Sequence, residues 1–353
     1  MNKMLDTYTL SRVSARNQNK WADIAAFLQR FNLGIDTDVE RFIVAYSGEE
    51  IVACGGIAGN ILKSIAIVEQ LHGTGFSLKL MTELTSMAYE MGRYELFLFT
   101  KPQNVKLFRQ SGFFPIAKVD GNLVLLENSQ YRLRNYCRKL KRSKVDGNKI
   151  GGIVINANPF TLGHQYLIEQ AAKDCDWLHI IVVKEEGSEF SYHDRFEMIK
   201  NGISHLRNIT VHPGSSYIIS RATFPTYFIK SQGLINYCHT AIDLQLFRHF
   251  IAPALGITHR YVGSEPECVV TSHYNQQMKH WLTTDDLKWP AIEVIELERK
   301  TVHQQPISAS TVRSLLKQGQ FKQLASLLPQ TSIDYIQSHQ LFTAARSGEF
   351  AAA

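Results

Sequence analysis

Two stretches of this chain have residue types and spacings suited to chemistry on phosphate. In the first, Gly151–Glu169, an apolar run at Ile153–Ile155 breaks at Asn156-Ala157-Asn158-Pro159 and continues as Phe160-Thr161-Leu162-Gly163-His164. Pro159 steers Asn158 away from the helical region, so the chain turns there, and a helix is expected to open near Gly163. The first turn of a helix presents unpaired N–H groups and a positive dipole end, which make a natural anion site. Thr161 and His164, three residues apart, share one face of such a turn. A histidine placed there donates hydrogen bonds to phosphate oxygens whose charge grows during reaction, with no covalent intermediate. The second stretch, Ile307-Ser308-Ala309-Ser310-Thr311-Val312-Arg313, reads as another helix start. Ser308 or Ser310 can cap it, and Arg313 sits one turn in, where a guanidinium can clamp phosphate oxygens.

The apolar pattern supplies the elements that must position these groups. Trp177–Val183 is a near-continuous apolar run, as in a parallel strand buried on both faces. Strand, helix and strand in this order imply a right-handed crossover and the start of a doubly wound sheet. Ligands in such sheets sit beyond the carboxyl ends of the strands, which puts Asn156–His164 and Lys184 in one crevice. Tyr192–Gly202 reads as the next helix and carries Arg195, a weaker candidate for substrate contact. Asp243–Leu255 reads as a helix, Arg260–Pro266 as a strand ending in the turn Gly263-Ser264-Glu265-Pro266, and Glu293–Leu297 as the last strand. Glu265 could accept from ribose hydroxyls or help hold magnesium, an ion that takes oxygen ligands. Ser216–Lys230 mixes Arg221 and Lys230 with Tyr217, Phe224, Tyr227 and Phe228. Both a second-substrate pocket and plain core packing fit that mixture.

Residues 1–130 read as a separate domain. A helix is expected over Asn17–Phe31, strands over Arg41–Tyr46, Ile51–Ile57 and Lys63–Val68, and the turn Ser47–Glu50 signals a hairpin. The loop Gln70-Leu71-His72-Gly73-Thr74-Gly75 then leads into a helix, Phe76–Met91, and so offers backbone N–H groups to phosphate. Glu95–Thr100 reads as a strand and Asn104–Gln110 as a short helix. No general base stands out here; Glu69 and Glu83 would be guesses.

Between the two domains, residues 131–149 carry eight Lys and Arg against Asp146 alone, an excess larger than the +6 of the whole chain. This basic linker suits a solvated helix or a docking surface for an acidic protein, and no nucleic-acid motif accompanies it. The second domain is expected over 150–340 and a featureless tail over 341–353. The 353 residues suit two domains, and 44% hydrophobic with 20% charged residues is a soluble globular composition. The scattered cysteines (Cys54, Cys137, Cys175, Cys238 and Cys268) suggest neither a disulfide framework nor a zinc site. Met1–Val13 has no apolar core of a signal peptide, and no apolar run is long enough for a membrane span. A cytoplasmic protein is expected.

Thr161-x-Gly163-His164 behind Asn158-Pro159-Phe160, the Gly263-Ser264-Glu265 turn and the Ile307–Arg313 helix start together resemble the motifs of the nucleotidylyltransferase superfamily. That resemblance implies ATP held through Asn156, Pro159, Phe160, Thr161, Gly163, His164, Gly263, Ser264, Glu265, Ser308, Ser310 and Arg313. It implies magnesium with the nucleotide, no metal held by protein ligands alone, and attack on the α-phosphate with pyrophosphate leaving. His164, Arg313 and Lys184 are the catalytic candidates. Gln70-x-x-Gly73-x-Gly75 and Asn104–Phe113 resemble the GCN5-related acetyltransferases, which makes Gln70, Gly73 and Gly75 candidates for holding a coenzyme A arm. The implied fold class is α/β, an acetyltransferase-like α+β domain followed by a doubly wound parallel-sheet nucleotidylyltransferase domain.

The two together resemble the citrate lyase ligase family. This implies that acetate attacks ATP to give acetyl-adenylate. The acetyl group then passes to the thiol of a phosphoribosyl-dephospho-coenzyme A arm on the acyl carrier subunit of citrate lyase. Rival readings are adenylyl transfer to a phosphopantetheine-like or nucleotide acceptor, an acetate ligase modifying tRNA, and a non-catalytic nucleotide sensor.

Overall fold

A computed structural model describes residues 8–184, 188–218, 224, 226–229, 231–265, 269–284, 288–339 and 341. The chain forms two compact units, one of Met1–Leu133 with Arg221–Ile242 and the other of Arg134–Ser220 with Asp243–Ala353. The expected uninterrupted second region, 150–340, is therefore divided, because Arg221–Ile242 groups with the first unit.

The first unit contains β1 (Thr9–Ser14), α1 (Gln18–Gln29), β2 (Arg41–Ser47), β3 (Glu50–Ala58), β4 (Ile61–Ile67), α2 (Phe76–Glu90), β5 (Phe97–Thr100), α3 (Val105–Gln110), β6 (Phe114–Val119) and β7 (Leu123–Glu127). Its sheet has the order β1-β2-β3-β4-β5-β7-β6 and is antiparallel except between β4 and β5. Strand alternation explains why β2 reads as continuously apolar. Phe42 and Val44 face α1 with Ile24, Phe27 and Leu28, whereas Ile43 and Ala45 face α2 with Leu80, Leu84 and Met87. A Cβ on Gly55 would lie 2.5 Å from Leu84 Cδ1, so a glycine lets α2 sit close on β3.

The basic stretch 131–149 contains the helix α4 (Arg132–Lys141), which buries Leu133 and Leu140 and exposes Arg134, Arg138, Lys139 and Lys141. Beyond it come β8 (Ile150–Ile155), α5 (Leu162–Asp174), β9 (Trp177–Val182), α6 (Tyr192–Gly202) and β10 (Ile209–His212). Further along come α7 (Gln232–Leu246), α8 (Ala252–Leu255), β11 (His259–Gly263), α9 (Val269–Thr283), β12 (Glu293–Leu297), α10 (Ala309–Lys317) and α11 (Gln330–Ser338). The sheet order β10-β9-β8-β11-β12 is parallel throughout, which makes the second unit a doubly wound α/β fold.

The helix expected over Asp243–Leu255 is instead the end of α7, a wide π turn at Phe247–Ile251, and α8. Pro253 has no N–H to give an α-helical ladder, so the backbone widens before it. Phe321–Ser326 is a 3-10 segment. Among the described residues no helix is long and apolar enough to cross a membrane.

Candidate functional site

The strand order of the second unit reverses between β8 and β11, and ligands in open α/β sheets bind outside the carboxyl ends at that point. Asn156 follows β8 there, and Gly263 ends β11. The turn after β8 is pinned by Arg195 of α6, whose fully buried guanidinium donates to Asn156 O (2.8 Å), Asn156 Oδ1 (2.7 Å) and Val183 O (3.0 Å). Arg195 thus ties the end of β8 to the end of β9, a positioning task rather than the substrate contact weighed from sequence. Asn158 Oδ1 accepts from Phe190 N (3.2 Å), and the Asn158–Pro159 bond is cis.

Thr161 caps α5. Its hydroxyl oxygen accepts from His164 N (3.3 Å), while His164 Nδ1 accepts from Thr161 N (3.1 Å), a reciprocal capping box in which histidine replaces the usual Glu or Gln. A backbone N–H can only donate, so Nδ1 carries no proton and the proton of the neutral ring is on Nε2. Burial first, and the positive charge of Arg299 second, push the His164 pKa down to about 4 from an ordinary 6.5. The ring is therefore neutral at pH 7 with Nε2–H left to donate.

The second helix start meets the first. Ser308 is the N-cap of α10, accepting from Ser310 N (3.3 Å), and the two hydroxyls lie 2.7 Å apart. A Cβ on Gly163 would meet Ile307 O and Ile307 Cβ at 3.4 Å, about van der Waals contact, so the two helix starts lie side by side here. Arg313 Nη1 donates to Asn158 O (2.7 Å). His164, Arg313, Asn156, Asn158, Ala157 and Ala309 border one open cavity of about 460 Å³, with Ser188 and Glu189 on its rim.

Several sequence candidates stand behind this cavity rather than in it. Pro159, Phe160 and Thr161 are buried; Phe160 is fully enclosed, stacked on His164 with ring centroids 6.0 Å apart. An apolar ring following a turn gains more by burial than by facing polar phosphate. Gly163, Ser308 and Ser310 build the two helix starts. Glu265 is held by Arg299 in an ion pair, and Ser264 N donates to Leu297 O (2.8 Å), so this turn is fixed against β12. Gly263 O accepts from Asn275 Nδ2 (3.1 Å). Lys184 is exposed just beyond β9 and does not border the cavity. Arg221 and Lys230 lie outside the described residues.

In the first unit, Gly73 and Gly75 have φ of 76° and 83°, and Gly75 opens α2. These left-handed conformations explain the glycines. A cavity of about 350 Å³ lies beside this loop, bordered by Glu69, His72 and Ser77 but not by Gln70, Gly73 or Gly75; Glu83 does not border it.

The family model for the citrate lyase ligase C-terminal domain matches residues 150–336. Over 328 residues the chain is 51% identical to the citrate (pro-3S)-lyase ligase of Escherichia coli (strain K12), covering 93% of each chain. The chain belongs to the citrate lyase ligase family. A stretch of 57 residues is 40% identical to the phosphopantetheine adenylyltransferase of Staphylococcus saprophyticus, 16% of this chain and 35% of that protein. A structural likeness to Escherichia coli ElaA covers 35% of this chain and 100% of that one, at 17% identity and a TM-score of 0.29.

For this citrate lyase ligase family member, sequence reasoning missed Arg299, Ala157 and Ala309. Arg299 had a usable signal, since it follows the carboxyl end of the parallel strand β12. The two alanines border the cavity through their place on the turns alone and carried none.

Proposed function

We propose that the second unit joins acetate to ATP as acetyl-adenylate and that the chain then acetylates the thiol arm of the citrate lyase acyl carrier subunit. The carrying observation is the convergence of His164 and Arg313, from two helix N-termini, on one cavity at the switch point of a parallel sheet. An acetate oxygen attacks the α-phosphorus and the bond to the β-phosphate oxygen breaks. His164 Nε2–H donates to an α-phosphate oxygen as its charge grows, and Arg313 meets the departing pyrophosphate. Lys184, exposed beyond the end of β9, swings in from outside the cavity to orient acetate or phosphate. The arm's thiolate, its proton lost to solvent, then attacks the acetyl carbonyl, and AMP leaves.

Glu265 is engaged by Arg299, and among the described residues no three His, Cys, Asp or Glu converge on a cation site. Magnesium therefore fits here as an ion carried by the phosphates and water, where it neutralises phosphate charge. Gln70, Gly73 and Gly75 of the first unit hold the phosphate end of the arm, and the exposed basic face of α4 meets the carrier protein.

The test supplies ATP, magnesium and acetate with and without deacetylated citrate lyase and identifies the products. AMP formation that tracks lyase reactivation supports the reading. The local similarity to phosphopantetheine adenylyltransferase favours adenylyl transfer to a pantetheine-like acceptor as the second reading. An adenylylated small molecule as the product would replace the first reading by the second.

A further inference from the structure

The carboxyl ends of β8, β11 and β12 bring one more cation to the face of the sheet that carries α5. β8 pairs with β11 at Gly151–His259 and Gly152–Arg260, so by register Ile155 and Gly263 stand level across the switch point. β12 pairs with β11 as far as Leu297–Gly263, and Arg299 follows two residues later. Strand alternation fixes the face. Tyr261 packs with Ile168 and Ala171 of α5, and its hydroxyl donates to Asp174 at the end of that helix (2.8 Å). Gly263, two residues on, therefore faces α5 as well. A Cβ placed on Gly263 would lie 3.8 Å from Arg299 Cγ and 3.9 Å from its Nε. The Arg299 side chain thus runs from β12 back across β11 on the α5 face. His164 sits in the first turn of α5, and the positive charge of Arg299 reaches its ring.

Arg299 is braced. Leu297 O accepts from Ser264 N (2.8 Å) and Lys300 O accepts from Ile307 N (3.1 Å), which ties the segment around it to the turn after β11 and to the approach to α10. Its Nη2 donates to the Glu265 carboxylate. That carboxylate is buried, with 6% of its side chain exposed, whereas 30% of the Arg299 side chain is exposed. A guanidinium is a fork of several N–H donors. Among the described residues Glu265 is the only hydrogen-bond partner of Arg299, so the rest of the fork is left to a ligand.

We propose that Arg299 is a further catalytic residue, whose guanidinium binds the α-phosphate of ATP beside His164 and stays with the AMP half as pyrophosphate leaves. This rests on the reading of the second unit as the site of acetyl-adenylate formation. Arg299 lies outside the lining of the cavity that His164 and Arg313 border. An AMP half running from that cavity toward the Gly263 turn meets it on the way. The neutral His164 gives the α-phosphate a hydrogen bond but no charge, and Arg313 is engaged with pyrophosphate. As acetate attacks, the new bond to phosphorus forms, the bond to the β-phosphate oxygen breaks with its electron pair, and negative charge grows on the α-phosphate oxygens. A cation already fixed in place meets that charge without reorganising. Arg299 gains and loses no proton.

The test titrates the full chain with AMP and with adenosine, followed by NMR of the ligand so that weak binding is measured. Arg299→Met is expected to weaken AMP at least about tenfold while changing adenosine less than about threefold, because only AMP carries the phosphate. An equal loss of both ligands, as from a merely structural bracing of the Glu265 turn, overturns the inference, and so does unchanged AMP binding. If Arg299→Met does not fold, judged by circular dichroism, Arg299→Lys takes its place. It keeps the charge but loses the fork, so AMP is expected to weaken at least about threefold with adenosine unchanged; equal AMP binding there is equally fatal. Acetate-dependent pyrophosphate release by wild type, measured alongside, reports on the underlying reading. Its presence with AMP binding unmoved by the variant sinks Arg299 and leaves the ligase reading standing, and its absence removes both.

Discussion

In the proposed reaction His164 works through the atom that its partner leaves over. Because Thr161 N–H occupies Nδ1, the ring offers Nε2–H, and its low pKa keeps it neutral throughout the physiological range. His164→Ala is expected to slow acetate-dependent pyrophosphate release by about 10²–10³-fold, as for loss of one transition-state donor; a fall under threefold in initial rate would remove His164 from the chemistry. Arg299 lowers the same pKa by its positive charge. Arg299→Gln removes that charge, which favours the imidazolium. An upward shift of the His164 titration, followed by NMR of the imidazole, is therefore expected, and an unmoved titration would refute the coupling.

At the scale of elements, two helix starts depend on small and polar residues placed with little slack. Thr161→Ala removes the α5 cap and should lower stability by about 1 kcal/mol in urea unfolding. It also removes one side of the box that orients His164, so activity should fall further than stability explains. Gly202→Ala would set a Cβ 2.3 Å from the Phe160 ring, a part of the core with no room to give. Overpacking of this kind costs about 1–3 kcal/mol, and a variant as stable as wild type would show that the ring can move.

Acid stability belongs to the whole molecule. His164, His179, His212 and His249 all have pKa values pushed down to about 4, chiefly by burial. The unfolded chain binds protons at these positions near 6.5 while the folded one does not, so the folded state loses stability as pH falls through 6.5 toward 4. Thermal unfolding followed across that window should show a steady drop in Tm, and a flat profile would contradict it. The division of the chain also changes how the first unit should be studied. Deleting residues 1–133 would strip Phe224, Tyr227 and Ile229 of the partners they bury against, so the remaining fragment is expected to aggregate by light scattering. Point variants in the full chain are the sounder probes of that unit.

The sequence by itself determined the features whose causes are local. A proline after Asn158, a threonine three residues before His164 and a Ser-x-Ser start before Arg313 fix turns and caps within a few residues. Both helix starts, the β-α-β order and the strands β9 and β12 were legible for that reason. Only the tertiary structure decided what depends on partners far along the chain. Arg195 gripping Asn156, Arg299 holding Glu265, and Phe160 sealed against Gly202 each require residues brought together across 34 or more positions. The return of Arg221–Ile242 to the first unit is the longest case, with Asp36 and Thr226 separated by 190 residues. Periodicity marks the aromatic residues there as apolar, but no pattern along a chain records which of two cores they will complete.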